Sequence, residues 1–385
     1  MSSLQLYQQN KKILIFSSKI VGAEVWTSTQ MLTPSSYVLL LQMAVYFYSN
    51  FWTAYHYRDD IIMGMKVLNC TGIAIQLSAK FFIAVFRKKD FLALCVLIEN
   101  ELYQKYASTA EPEGQILYDY AKKYHILLRV IMFLYFASLF VFGLYPLYIF
   151  LDQGEIIPLF MFEIPYVDWH TTGGLIATYA VQVITYVTGI FGIILADGLF
   201  IHYVVHAIVF MEIFEIHLHQ LGIMLQNQDQ DDEGSETANR WKQSLREHQQ
   251  ISQFMSEVET FSGLICLILV FTSVFAICDN IILTAVTDWY ASILFLFVCF
   301  VQLTIYFTIG NMIERKFDSM DLSIMQFPWY LLNITQRKEY SFVVNRMQSP
   351  MILTICGFSP LNFESYMAIL KALYQFVMMI FNFVA

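Results

Sequence analysis

"ESYMAILKALYQFVMMIFNFVA" fills residues 364–385. Its length matches the roughly 20 mostly apolar residues that a helix needs to cross a bilayer. Yet it carries Lys371, Gln375 and Asn382. On a helix, Lys371, Gln375, Met378 or Met379, and Asn382 recur at steps of three or four and form one stripe, continued back through Ala368 to Glu364. The other faces are apolar, from Tyr366 and Ile369 to Ile380 and Phe383. Polar groups at membrane depth are costly unless they face protein or water. The stripe is therefore either glue between helices, with Gln375 and Asn382 bonding neighbours, or the wall of an aqueous path, closed at a large apolar residue such as Met379.

The rest of the chain supports the membrane reading. It has 385 residues, 57% hydrophobic, 17% aromatic and 14% charged, with a mean hydropathy of +0.54. Soluble domains carry about 25% charged residues, and a globular core could not hide this much apolar side chain. Seven candidate spans cover about 36–57, 64–86, 127–151, 174–210, 258–278, 289–312 and 361–383. The fourth is too long for the bilayer alone and predicts a helix continuing through "EIFEIHLHQLGIML". Between spans, "KYASTAEPEGQ" reads as a break between two amphipathic helices. The acidic, Gln-rich 226–239 reads as disordered, and 313–358 as partly helical.

Lys and Arg crowd the N-terminus and the segments 87–126, 211–257 and 313–358, whereas 152–173 and 279–288 carry none. Cations mark cytoplasmic loops, so the N-terminus is expected in the cytoplasm and, after seven spans, the C-terminus outside. That is the inverse of a G-protein-coupled receptor. The third span also ends in "YPLYIFLD", not in the acid-Arg-Tyr triplet of such receptors. A secondary transporter would show broken spans in two related halves, and no repeat is visible. The fold expected is an all-α integral membrane protein of seven transmembrane helices.

Other chemistry finds little support. The net charge of -9 argues against nucleic-acid binding. The six cysteines form no CxxC pair and read as buried apolar groups. His202 and His206 share a helix face at metal-ligand spacing, but no second histidine box accompanies them, so no metal or cofactor is expected. Asp197 is ionisable at membrane depth, and a buried partner within the subunit is expected. Glu212, Glu215, Arg246 and Glu247 read as a solvated surface. The glycosylation patterns at Asn69 and Asn333 are discounted, one inside a span and one on a cytoplasmic segment. No catalytic constellation is present, and an enzyme is not expected.

Several stretches carry a resemblance. "IGNMIERKFDSMDLSIMQFPWYLL" (309–332) and "FVVNRMQSPMILTICGFSPLNFESYMAILKALYQFVMMI" (342–380) resemble the C-terminal region of insect odorant receptors. The shared features are Gly310-Asn311, Ser319, Trp329, Arg346 and Gln348 before Pro350, Gly357, Phe363 and "ILKALYQF". "LADGLF" (195–200), "LREHQQISQFMSEVETFSG" (245–263) and "PLFMFEIPYVDW" (158–169) agree as well. The short 211–257 segment resembles a tuning receptor rather than the longer co-receptor. Gustatory receptors are the neighbouring alternative. Their last span sets Thr-Tyr closer to Gln-Phe than Ser365-Tyr366 stands to Gln375-Phe376 here.

The resemblance implies a subunit that binds a volatile odorant and, with the odorant receptor co-receptor, forms a heterotetrameric nonselective cation channel. Its place would be the plasma membrane of an olfactory neuron's dendrite. It implies an odorant-binding region within residues 1–312, a cytoplasmic anchor at 313–360 joined by the cytoplasmic parts of helices four to six, and a pore-lining helix at 361–385. Met379 would stand at the gate, with Gln375, Met378 and Asn382 as pore-facing neighbours and Lys371 toward the inner vestibule. A lysine is unexpected in a cation pathway. The odorant would sit between spans two, three, four and six. Candidate contacts are Val67, Thr71, Phe140, Gly143, Leu144, Leu147, Tyr179, Gln182, Val183, Tyr186, Tyr290, Leu294 and Phe297.

Overall fold

The computed structural model describes residues 2–26, 30–108, 111–227 and 234–384. They build an all-helical bundle. Its elements are α1 (Ser3–Val21), α2 (Pro34–His56), α3 (Ile61–Leu68), α4 (Thr71–Phe86), α5 (Lys88–Ile98), α6 (Gln104–Tyr106) and α7 (Pro112–Gln153), then α8 (Thr172–Gln226), α9 (Gly234–Val286), α10 (Ala291–Gln326), α11 (Ile334–Met347) and α12 (Phe363–Val384). A π-helical turn, Glu99–Tyr103, joins α5 to α6.

Among the described residues, five spans are long and apolar enough to cross a membrane: Ile61–Phe86, Pro112–Gln153, Thr172–Gln226, Glu236–Val286 and Ala291–Gln326. Apolar side chains face outward too. Phe133, Phe140 and Leu151 on α7 are exposed, as are Tyr37, Val38 and Leu41 on α2, which is not among these five. A surface of this kind is costly in water and suited to lipid.

α8 is the central post. It runs unbroken through "EIFEIHLHQLGIML", as its apolar periodicity predicts, and α1, α4, α7, α9 and α10 pack around it. Gly198 lets α1 and α7 approach: a methyl group there would meet Leu14 Cδ2 at 2.7 Å and Leu128 Cδ1 at 3.2 Å. A large core of α1, α4, α5 and α7–α10 side chains fills one end. A smaller aromatic core of Tyr46, Phe142, Phe160, Phe162, Trp289 and Phe295 fills the other.

The second span runs over Ile61–Phe86, with a two-residue irregularity between α3 and α4, where the side-chain amide of buried Asn69 donates to Asp279 (3.2 Å) and Asn280 (2.8 Å) of α9. One expectation is corrected. The acidic stretch 226–239 is helical from Gly234 onward, because Thr237 and Trp241 bury against the bundle; residues 228–233 of that expectation lie outside the described residues. The N-terminal residues form a helix that the sequence reading did not name. α1 opens with a capping box at Ser2 and Gln5 and ends at Gly22, whose φ of +75° suits glycine.

Candidate functional site

A cavity of about 110 Å³ lies among α4, α7, α8 and α10, near the smaller aromatic core. These helices correspond to the second, third, fourth and sixth spans of the sequence reading. Its walls are Cys70, Ile73, Ala74 and Leu77 from the α3–α4 strand of chain, Tyr135, Ser138 and Phe142 from α7, and Thr185, Tyr186, Gly189, Ile190 and Ile193 from α8. Leu294, Phe295 and Val298 of α10, Tyr46 of α2 and Phe160 of the 154–171 loop complete it. Few polar atoms reach it, and several of their donors are already used. Ser138 Oγ donates to Tyr135 O at 2.8 Å, Thr185 Oγ1 to Val181 O at 2.8 Å, and the Tyr186 hydroxyl to Ser138 O at 3.2 Å. Such a cavity selects by shape and apolar contact.

Its roof is held by one side chain. Gln182 is fully buried and accepts from Phe160 N at 3.1 Å. Its Nε2 donates to Phe160 O at 3.0 Å and Phe162 O at 3.2 Å. This pins Phe160 over the cavity and leaves Gln182 no donor for a ligand.

Behind the Tyr135 ring lies a buried carboxylate. Asp197 accepts from Lys80 Nζ (2.6 Å) and the Tyr306 hydroxyl (2.7 Å) at Oδ1, and from the Tyr135 hydroxyl (2.6 Å) and Gln302 Nε2 (3.3 Å) at Oδ2. Lys80 and Asp197 are 4% and 2% exposed, so neither charge is met by water. Four donors on one carboxylate supply the pairing that a buried charge requires.

The structure gathers some of the candidate contacts and disperses others. Tyr186 and Leu294 line the cavity. Val67 lines a small gap beside Phe142, Phe160 and Trp289. Thr71 is buried beside Tyr46, and its hydroxyl makes no hydrogen bond among the described residues. Tyr179 donates to Ile157 O, and Gln182 holds the roof. Phe140, Leu144, Leu147, Val183, Tyr290 and Phe297 are exposed on the outside of the bundle, and Gly143 faces open space. The sequence reading missed Tyr46, Ile73, Leu77, Tyr135, Ser138, Phe142, Phe160 and Phe295. A half-turn error in helix phase accounts for the α7 set, since Phe140 and Gly143 flank Phe142.

α12 packs on α9 and α10. Leu373 is buried, and Tyr366, Ile369 and Leu370 pack half-buried against the core. Tyr366 stacks on Phe307 at 5.1 Å, and its hydroxyl lies 2.7 Å from Thr304 Oγ1. The polar stripe takes the opposite face: Glu364, Ala368, Lys371, Gln375, Met378, Met379 and Asn382 are all exposed. Nothing in their own subunit covers them.

The model of the family described as 7tm Odorant receptor matches residues 61–374. The chain belongs to this odorant receptor family. Odorant receptor 83c of Drosophila melanogaster is 19% identical over 386 residues, covering 98% of this chain and 97% of that one. Odorant receptor 10 of Aedes albopictus is 22% identical over 138 residues, 34% of this chain and 36% of that one. Among solved structures, the insect olfactory receptor OR5 from Machilis hrabei matches in complex with eugenol, with a TM-score of 0.78, 13% identity and 99% of each chain covered. The same receptor in a second structure gives a TM-score of 0.76, 14% identity and 98% of each chain. The fold is that of insect odorant receptors. The family is one of receptors, not enzymes.

The remaining sequence signals resolve within this odorant receptor fold. Asp197 has the intrasubunit partner expected of it. His206 holds the His202 carbonyl at 2.6 Å and the Tyr103 hydroxyl at 3.0 Å, inside the core. Among the described residues no group of three metal-ligating side chains forms. Glu212 and Glu215 do not form a simple solvated surface. They share Lys316 of α10 at 2.7 and 2.6 Å, and Lys316 is only 12% exposed. Glu247 pairs with His217 at 2.9 Å. These pairs tie α8 to α9 and α10 where the helices extend beyond the apolar spans.

Proposed function

We propose that this chain is the ligand-binding subunit of an odorant-gated, nonselective cation channel assembled with the odorant receptor co-receptor. A small, mostly apolar volatile occupies the cavity among α4, α7, α8 and α10. The observation that carries the channel reading is the α12 stripe, which turns Glu364, Lys371, Gln375 and Asn382 away from the subunit's own core. Polar side chains on a membrane helix need water or a partner, and four subunits around a central axis supply both. Met379, 48% exposed within that stripe, acts as the apolar constriction, with Gln375, Met378 and Asn382 around it. Lys371 faces a wider vestibule.

The excess of Lys and Arg on alternate loops supports a cytoplasmic N-terminus and an extracellular C-terminus. The ends of α8, α9 and α10 with residues 313–360 then form a cytoplasmic anchor holding the tetramer. The site is the plasma membrane of an olfactory neuron's dendrite. The eugenol complex of the Machilis hrabei receptor supports a small aromatic or aliphatic volatile as the ligand class.

Co-expression with the co-receptor in oocytes, followed by a panel of volatiles, tests the reading. An odorant-dependent cation current that needs both subunits is expected. Silence under every ligand, with both proteins at the cell surface, would remove it. An N-terminal epitope stained on intact cells would overturn the orientation.

A further inference from the structure

A second cavity, of about 120 Å³, lies between α2, α4, α8 and α9. It borders the first so closely that Tyr46, Ala74, Leu77, Thr185 and Gly189 line both. The wall between them is thin at one place. Gly189 and Gly192 stand one turn apart on α8 and leave a notch without side chains. Leu77 of α4 fills it: a methyl group built on Gly189 would meet Leu77 Cδ1 at 3.7 Å, and one built on Gly192 would meet Leu77 Cδ2 at 3.2 Å. Leu77 is only half-buried, and with glycines opposite it can change rotamer without striking a β-carbon.

The second cavity does not ask for a polar ligand. Gln42 Nε2 donates to Thr188 Oγ1 at 2.7 Å, Ser78 Oγ to Ala74 O at 2.7 Å, Thr188 Oγ1 to Ile184 O at 2.9 Å, and Lys80 Nζ to Asp197 at 2.6 Å. Gln42, Ser78, Lys80, Thr185 and Thr188 on its wall all have protein partners. What remains open to a guest is aliphatic and aromatic surface, which suits a hydrocarbon chain.

We propose that the two cavities form one bipartite ligand site, with Leu77 as the partition. The first takes the compact end of the ligand. The second takes the tail of a longer straight-chain molecule, and Leu77 sets the chain length accepted. This rests on the reading of the first cavity as the ligand pocket. Each methylene buried gains about 0.8 kcal/mol, about fourfold in potency. Potency along a series of primary n-alkanols is therefore expected to climb about fourfold per methylene until the tail, past the partition, fills the second cavity.

Two measurements on the receptor co-expressed with its co-receptor test this. In the first, alkanol currents are compared across variants. Leu77→Ala deletes three carbons of the partition and is expected to move the best chain length upward. Thr188→Leu fills the second cavity and is expected to move it down. An unchanged optimum in both variants overturns the proposal.

The second measurement reads occupancy without gating. Native Cys70 lines the first cavity, and Ser78→Cys places a thiol in the second. Modification by methanethiosulfonate is followed at each site by mass spectrometry. Short alkanols are expected to shield Cys70 alone, and long ones both thiols. Long alkanols that shield Cys70 only would overturn the bipartite site and leave the first cavity standing. No shielding of Cys70 by any alkanol would instead defeat the pocket reading itself. A Ser78→Cys thiol shielded before any alkanol, and released by removing lipid, would assign the second cavity to a bilayer acyl chain and overturn the proposal.

Discussion

The hydroxyl of Tyr135 donates to the carboxylate of Asp197 at 2.6 Å, while the Tyr135 ring lines the apolar cavity. One side chain thus touches both the cavity and the buried charge at the centre of the bundle. Asp197 also holds Tyr306 on α10, and Phe307, the next residue, stacks on Tyr366 of α12. A shift of the Tyr135 ring has a short physical route to the last helix. Tyr135→Phe keeps the ring and removes one hydrogen bond to a charged acceptor, a loss of about 1.5–3 kcal/mol. The expected result is lower receptor stability and a shifted dose–response midpoint, with the rank order of odorants unchanged. Tyr135→Leu alters the wall as well and is expected to reorder the ranking. Dose–response curves over one odorant panel read both.

The Lys80–Asp197 pair makes a prediction about folding. Both groups are buried, so removing one leaves an uncompensated charge that costs roughly 3–5 kcal/mol. Lys80→Met is expected to abolish surface expression. Lys80→Met combined with Asp197→Asn removes both charges and is expected to restore a measurable fraction. A double variant no better than the single one, by surface biotinylation, would show that the lysine acts through its packing over the Tyr306 ring, 5.3 Å away, rather than through charge.

Gly310 fixes where α12 begins. A β-carbon there would fall inside the van der Waals shell of the Leu361 carbonyl oxygen and press on the Leu361 side chain. Backbone cannot step aside as a side-chain tip can. Gly310→Ala is expected to displace the chain entering α12 and to abolish odorant currents even where protein reaches the surface. Gly64→Ala meets nothing within 4 Å and is expected to behave as wild type, which makes it the matched control.

These contrasts show what the sequence made legible. The long α8 was readable because its apolar periodicity continues past any bilayer length. The polar stripe of α12 was readable because Lys371, Gln375 and Asn382 fall one and two turns apart. The cavity was not. An aromatic on α7 reads the same whether it lines a cavity, as Phe142 does, or meets lipid, as Phe140 does, since both surroundings are apolar. In a membrane the usual contrast between a greasy inside and a polar outside is lost, and helix phase goes with it. Gln182 misled for a related reason: its amide serves the backbone of a loop 22 residues away in sequence, which no local pattern announces. Lys80 and Asp197 find each other across 117 residues, and only the fold pairs them.

The contact between α9 and α11 carries a pH prediction. His248 is buried, with Nε2 at 3.3 Å from Met347 Sδ. Burial, reinforced by the Arg346 guanidinium, pushes its imidazole below the ordinary value. The folded state thus favours the neutral ring. Above about pH 6.5, the ordinary imidazole value, both folded and unfolded chains carry it neutral and stability is fully present. Below that, the unfolded chain takes up a proton that the folded one resists, so stability falls as the pH drops toward the folded value. Hydrogen exchange across residues 334–347 is expected to quicken on mild acidification. His248→Gln is expected to remove that dependence; a persistent one would point to another group.

The proposed gate can be tested at one side chain. Met378 and Met379 are adjacent and both exposed on α12, at 43% and 48%. Met379 shares its stripe with Gln375 four residues earlier and Asn382 three residues later. An apolar ring at a constriction closes by excluding water, and narrowing the side chain lets water in. Met379→Ala is expected to raise the basal, ligand-free current through the assembled channel, whereas Met379→Leu, close in volume and apolarity, is expected to leave it low. Lys371→Gln, two turns earlier on the same stripe, is expected to raise cation conductance without raising the leak, because it removes a positive charge from the path and leaves the constriction intact. Leak and single-channel conductance recorded from the same patches separate the two effects. An unchanged leak in Met379→Ala, with unchanged block by pore-occluding cations, would move the gate to another residue of the stripe.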